Sequence, residues 1–178
     1  MHTNKVKLAA LSLTLLFGSA SRISAQTATT EGQAGTQSVF QSNIFGVGLS
    51  ASLCSGMGIS FRQHFAGVPV GYQITGGIWK THNLFMYDIG AEVQYDLSLS
   101  ANRLYAVAGA GYYYYGNTDV NGINTNGLSS PVRFGAGIGY EIPFNANIGV
   151  SLNLMVTVFE PDGDVLPLPS LGFHVYFK

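Results

Sequence analysis

Phe85-Met86-Tyr87-Asp88-Ile89-Gly90-Ala91-Glu92-Val93-Gln94-Tyr95-Asp96-Leu97 is the stretch whose reading decides the fold. Phe85, Tyr87, Ile89, Ala91, Val93, Tyr95 and Leu97 fall on one face, and Asp88, Gly90, Glu92, Gln94 and Asp96 on the other. A period of two is the signature of a strand whose two faces meet different surroundings. An α-helix would scatter the same residues around its circumference.

The same alternation extends in both directions. Ile44–Leu53 sets Phe45, Val47, Leu49, Ala51 and Leu53 against Ile44, Gly46, Gly48, Ser50 and Ser52. Met57–Phe65 sets Met57, Ile59, Phe61 and Phe65 against Gly58, Ser60, Arg62 and His64, with Gln63 out of pattern. Val70–Trp79 sets Val70, Tyr72, Ile74 and Ile78 against Gly71, Gln73, Thr75 and Gly77. Towards the C-terminus, Leu104–Tyr115 is ambiguous, because Ala, Gly and Tyr occupy both faces. Val132–Ile142 opposes Val132, Phe134, Ala136, Ile138 and Tyr140 to Arg133, Gly135, Gly137, Gly139 and Glu141. Ile148–Phe159 and Leu171–Phe177 complete a set that predicts eight strands, the last with Gly172, His174 and Tyr176 on its polar face.

The polar faces say which way the sheet turns. A soluble sandwich points its apolar faces inward and covers the outside with charge. Here only 10% of residues are charged, and glycine, with 23 copies, supplies much of the polar face. Such a face is too small for a solvated exterior but suits a lumen just wide enough for side chains. The expected fold is therefore all-β, a single closed antiparallel up-and-down transmembrane β-barrel of eight strands, with its large apolar residues towards lipid. No run of about 18 apolar residues follows the N-terminus, so a helical span is excluded. Tyr87, Tyr95, Tyr112, Tyr114, Tyr140 and Phe177 lie towards strand ends, where aromatic rings favour the lipid–water boundary. The links Ala66–Pro69, Ser98–Asn102 and Pro143–Ala146 are short, as periplasmic turns are. Gly116–Pro131 and Glu160–Ser170 read as two long extracellular loops; the other two outer links, near Cys54–Gly56 and Lys80–Asn83, are short, which predicts a lopsided outer face.

The final segment Ser170-Leu171-Gly172-Phe173-His174-Val175-Tyr176-Phe177 resembles the last-strand signal that outer-membrane barrels present to their insertion machinery, matched by Ser170, Gly172, Val175 and Phe177. Lys178 departs from it, since many such chains end on the aromatic residue. Together with Tyr105-Ala106-Val107-Ala108-Gly109-Ala110-Gly111-Tyr112 and Phe134-Gly135-Ala136-Gly137-Ile138-Gly139-Tyr140, residues 42–178 resemble the small outer-membrane β-barrel superfamily, that of OmpA/OmpX-like and opacity-like porin-family proteins. The resemblance implies a fold and a place in the cell outer membrane, not one activity. It also implies dealings with outer-membrane lipid, periplasmic chaperones and the barrel-insertion machinery.

Residues 1–25 read as a signal peptide, with Lys5 and Lys7 before the apolar Leu8–Phe17 and a small-residue cleavage site at Ile23-Ser24-Ala25. Residues 26–41, rich in Ser, Thr, Gln, Gly and Ala, read as a flexible leader, and 42–178 as the barrel. Lys5, Lys7 and Arg22 leave with the signal, so 8 basic residues become 5 against 9 acids, a net of −4. That sign argues against a nucleic-acid partner. Cys54 is the only cysteine, so no internal disulfide forms, and it reads as a small apolar residue.

The search for chemistry returns little. Gly135-x-Gly-x-Gly alternates within a strand and opens no helix, which sets it apart from a phosphate loop. Glu160-Pro161-Asp162-Gly163-Asp164 lacks the spacing and the closing glutamate of a calcium loop. No cofactor or metal is expected. Arg62, His64, Asp88, Glu92, Asp96, Arg133, Glu141 and His174 all fall on inward positions. Charges in so narrow a lumen must pair, and Arg62 and Arg133 are expected to pair with Asp88, Glu92 or Glu141, plugging the barrel. The expected function is that of a monomeric, non-enzymatic outer-membrane barrel serving envelope structure or surface contact. The alternatives are a narrow porin-like channel, a membrane-embedded lipid-modifying enzyme and a soluble lipocalin-like barrel.

Overall fold

The computed structural model describes residues 44–81, 84–117, 127–145 and 147–177. The expected signal peptide 1–25 and leader 26–41 lie outside them, as do Lys178 and residues 118–126 of the Gly116–Pro131 link. Eight strands follow in order: β1 (Ile44–Ser52), β2 (Gly56–His64), β3 (Val70–Lys80), β4 (Leu84–Leu99), β5 (Arg103–Asn117), β6 (Val132–Asn145), β7 (Ile148–Glu160) and β8 (Asp164–Phe177). Each pairs with the next, all antiparallel, and β8 closes on β1 from Phe45↔Phe177 to Ser52↔Ser170. The fold is an all-β closed barrel.

Alternation along the strands separates exterior from lumen in the direction the sequence predicts. Ile89 and Val93 are each 59% exposed on the outer wall, while Glu92 between them is 2% exposed in the lumen. An exterior of this kind, carrying Leu49, Ile74, Ile138, Leu152, Leu154 and Val156 as well, is incompatible with water and suited to hydrocarbon. Closure leaves few backbone groups unpaired in that hydrocarbon. In β5 the faces are settled too: Arg103, Tyr105, Gly111 and Tyr113 point into the lumen, and Leu104, Ala108, Ala110 and Tyr112 point out.

Aromatic rings gather at both ends of the wall. Phe45 stacks on Phe177 with centroids 5.4 Å apart and on Phe61 at 6.2 Å, and Tyr72 lies 6.3 Å from Phe61, at the end that holds the chain's entry and exit. At the opposite end Tyr87 stacks on Tyr114 at 4.9 Å, with Phe85 and Tyr112 beside it. Two girdles bounding an apolar band are what a bilayer selects.

One expected loop is a strand. Glu160–Ser170 reads in sequence as the second of two long outer loops, but β8 begins at Asp164 and pairs with β7 from Phe159↔Asp164 onward, so the turn is only Pro161–Gly163. Pro167 and Pro169 give the segment its loop-like look. They are accommodated because β1 covers β8 only from Ser170, leaving residues 164–169 with one neighbour, and an edge tolerates a residue without an N–H. The outer rim is lopsided for a further reason. β1 and β2 have 9 residues each, enough to cross the membrane when tilted, whereas β4 to β8 run to 13–16 and rise beyond it.

Candidate functional site

The short β1–β2 link does not project outward: it folds into the lumen. Cys54 is 1% exposed and Ser55 fully buried. Ser52 Oγ accepts from the backbone N–H groups of Cys54 and Ser55, at 3.2 and 3.1 Å, which tightens the turn. Gly56 and Gly58, with φ of 103° and 130°, then re-aim the chain in a conformation that residues with a Cβ rarely adopt.

The surrounding wall is shaped to receive the turn. A Cβ at Gly111 would stand 2.5 Å from the Cys54 carbonyl oxygen, one at Gly135 3.1 Å from Cys54 Sγ, and one at Gly109 3.3 Å from Ser55 Cβ. These lumen glycines of β5 and β6 therefore leave room for backbone. Polar groups hold the turn in place. The Tyr113 hydroxyl donates to the Ser52 carbonyl at 2.6 Å and accepts from Gly56 N–H at 2.8 Å. Ser55 Oγ donates to Glu92, Asp88 accepts from Met57 N–H at 2.6 Å, and Arg133 donates to the Leu53 carbonyl at 2.9 Å.

Cys54 of the turn packs on Tyr105, Val107 and Met155, which form an apolar layer beneath it. Below that, towards the end that holds Ile44 and Phe177, comes a buried ionic layer. Arg62 reaches Glu141 at 2.8 Å, and Arg103 reaches both Glu141 at 3.2 Å and Asp96 at 2.6 Å. His64 Nε2 lies 3.3 Å from Asp96. Arg62 also donates to Gln73 at 2.6 Å and to Ser151 at 3.1 Å, Arg103 to Gln94 at 2.9 Å, and the Tyr176 hydroxyl donates to Glu141. Two guanidinium groups are thus matched by two carboxylates, the condition under which buried charge is tolerated.

The eight expected lumen residues are accordingly divided. Arg62, His64, Asp96 and Glu141 meet in the ionic layer, while Asp88 and Glu92 hold the turn. The expected pairing of Arg133 with an acid is not found: its guanidinium lies over the rings of Tyr113, at 4.1 Å, and Phe159, at 4.9 Å. Glu92 likewise serves Ser55 and Gln94, not an arginine. The place expected for Arg133 is taken by Arg103, which sequence reasoning misses because it borders a turn and the alternation of β5 is ambiguous there. Its parity with Tyr105 and Tyr113 is the available signal. In β8, Ser170 and Gly172 face inward opposite Ser52 and Ser50 of β1, Val175 lies opposite Val47, and Phe177 packs outward on Phe45.

Chemically the lumen offers one nucleophile beside a base: Ser60 Oγ lies 2.8 Å from His174 Nε2. Among the described residues His174 Nδ1 has no hydrogen-bond partner and no third group orients the ring, and both residues are fully buried. Among the described residues no group of His, Cys, Asp and Glu is arranged to hold a metal ion, the acidic Glu160–Asp164 segment included.

No protein-family model matches the sequence, and no curated protein sequence matches it. Solved structures do resemble it. A major outer membrane protein from Thermus thermophilus is 13% identical, with a TM-score of 0.46 over 76% of this chain and 99% of that one. Neisserial surface protein A is 17% identical, with a TM-score of 0.41 over 75% and 91%. Ail, the attachment invasion locus protein of Yersinia pestis, is 14% identical, with a TM-score of 0.42 over 76% and 97%. The present chain's own apolar exterior, closed backbone and polar lumen are those of a small transmembrane β-barrel.

Proposed function

We propose that this barrel is closed and non-enzymatic, and that it acts through its raised outer rim, in envelope structure or surface contact. What supports the reading is the packing of the lumen at three levels, by Cys54 and Ser55 of the β1–β2 turn, by the Tyr105–Met155 layer and by the arginine–carboxylate layer. A water-filled path would need charged groups with water as partner, whereas Arg62, Arg103 and Glu141 are all buried and matched to one another. A lipid-modifying enzyme would need a nucleophile within reach of substrate, and Ser60 is fully buried. The β4–β8 wall is the part offered outward. Export by the 1–25 segment, passage by periplasmic chaperones, insertion through Ser170, Gly172, Val175 and Phe177, and a monomeric final state belong to the same proposal.

The deciding experiment is single-channel recording of the purified protein in a planar bilayer. A closed barrel gives no stable conductance, and a large, lasting open state in the wild type would transfer the function to a pore.

A further inference from the structure

The barrel wall has a seam. β2 and β3 pair only from His64↔Gly71 to Ile59↔Gly76. Beyond that point Gly56–Gly58 stay with β1, following the turn into the lumen, while Gly77–Lys80 stay with β4. The ladder stops there although the backbones stay close, a Cβ at Gly58 falling 2.4 Å from the Gly76 carbonyl oxygen and one at Gly77 2.2 Å from that of Met57. Over this floor of Gly58, Gly76 and Gly77, bare of side chains, lies a cleft of about 790 Å³ in the outer wall, lined by Leu49, Ile59, Ile78, Trp79, Tyr87 and Ile89. Its size lies within the roughly 300–1,000 Å³ of small-molecule sites.

Its surroundings specify the occupant. Leu49, Ile59, Ile78 and Ile89 belong to the exposed apolar belt, so the cleft is continuous with the surface that lipid covers. On its inner side Asp88 accepts from Met57 N–H, closing the way to the lumen and satisfying a backbone donor that the seam would otherwise leave bare. At its outer end stand Trp79, 54% exposed, and then Lys80, residues suited to the boundary between acyl chains and head groups.

We propose that this cleft holds one acyl chain of an anionic, phosphate-bearing membrane lipid whose phosphate lies at Lys80. The chain fills a groove that the wall leaves open, and Trp79 marks the depth at which acyl chain gives way to head group. The site is independent of whether the lumen conducts.

Trp79 is the only tryptophan, so its fluorescence reports on the cleft alone. The test reconstitutes the full chain in phosphatidylcholine vesicles and titrates in phosphatidylglycerol with brominated acyl chains, a contact quencher. Wild-type quenching should saturate at a mole fraction below that of bulk contact. Gly76→Leu and Ile59→Phe, which fill the cleft, should leave only the linear bulk component. Lys80→Gln should raise the mole fraction at half-quenching about fivefold, the weight of one basic residue near an anionic surface. Heat-modifiable gel migration checks folding, and Lys80→Gln, at an exposed position, carries the test if both filling variants misfold. Quenching that follows bulk composition in every variant, or saturable quenching indifferent to Lys80→Gln, would overturn the proposal.

Discussion

Replacing Glu141 by alanine removes one carboxylate that accepts from three donors: Arg62 at 2.8 Å, Arg103 at 3.2 Å and the Tyr176 hydroxyl. Arg103 keeps Asp96, but Arg62 is left with the neutral acceptors Gln73, Ser151 and the Tyr176 hydroxyl. Breaking a buried ion pair by removing one partner costs about 3–5 kcal/mol, because the other charge stays desolvated without compensation. One stranded guanidinium, and a second reduced to a single carboxylate, place Glu141→Ala towards the upper end. With a urea slope of about 2 kcal/mol per M, the unfolding midpoint should fall by about 2 M. Glu141→Gln keeps an acceptor but not the charge, and should fall between wild type and alanine. Arg62→Met combined with Glu141→Leu should cost less than the two single changes added together, since it leaves fewer unmatched charges. The assay is equilibrium unfolding of the barrel in lipid vesicles, read by Trp79 fluorescence and gel migration. If the Glu141→Ala midpoint lay within about 0.5 M of wild type, roughly 1 kcal/mol on that slope, the ionic layer would not be the support inferred here.

Three further outcomes follow from the same geometry. Gly111→Leu should push the β1–β2 turn out of its seat, and labelling of Cys54 by a membrane-impermeant maleimide should rise about tenfold for each 1.4 kcal/mol lost from the seated state; an inert Cys54 in a folded mutant would contradict the seating. Ile89→Arg should destabilise the barrel by about 2–4 kcal/mol if that position lies near mid-membrane, and a spin label at Ile89 should be reached by lipid-soluble and not aqueous quenchers, with the reverse result showing the strand faces inverted. Phe177→Ala should lower the amount of protein in the outer membrane and raise its periplasmic degradation; unchanged insertion would remove the terminal aromatic from the assembly signal.

Strand number, strand face and membrane character can all be read from the chain, because a period of two is written locally and needs no knowledge of the partner strand. Phe85–Leu97 alone separates lipid face from lumen face, and the burial of Asp88, Glu92, Gln94 and Asp96 follows it residue by residue. Where both faces carry small or aromatic residues, as in β5, that local signal vanishes, and the role of Arg103 vanishes with it. The Asp164–Pro169 stretch misleads for a related reason: whether proline is tolerated depends on the absence of a second neighbouring strand, which is a property of the closed sheet. Which charges meet is also beyond the sequence. Arg62 and Glu141 are 79 residues apart, and only closure and the stagger between strands bring them to one level, whereas Arg133, on the same inward face, is carried to the mouth and onto aromatic rings. The inward fold of Cys54 and Ser55 is the clearest case of a tertiary decision. Its own residues show only a short turn; the space that admits it is made by glycines at 109, 111 and 135, on strands across the lumen, and the groups that hold it come from Asp88, Glu92, Tyr113 and Arg133. Local alternation is set by side-chain direction along one strand, but the filling of a lumen is set by volume and charge summed around the whole barrel, and that sum exists only once the sheet has closed.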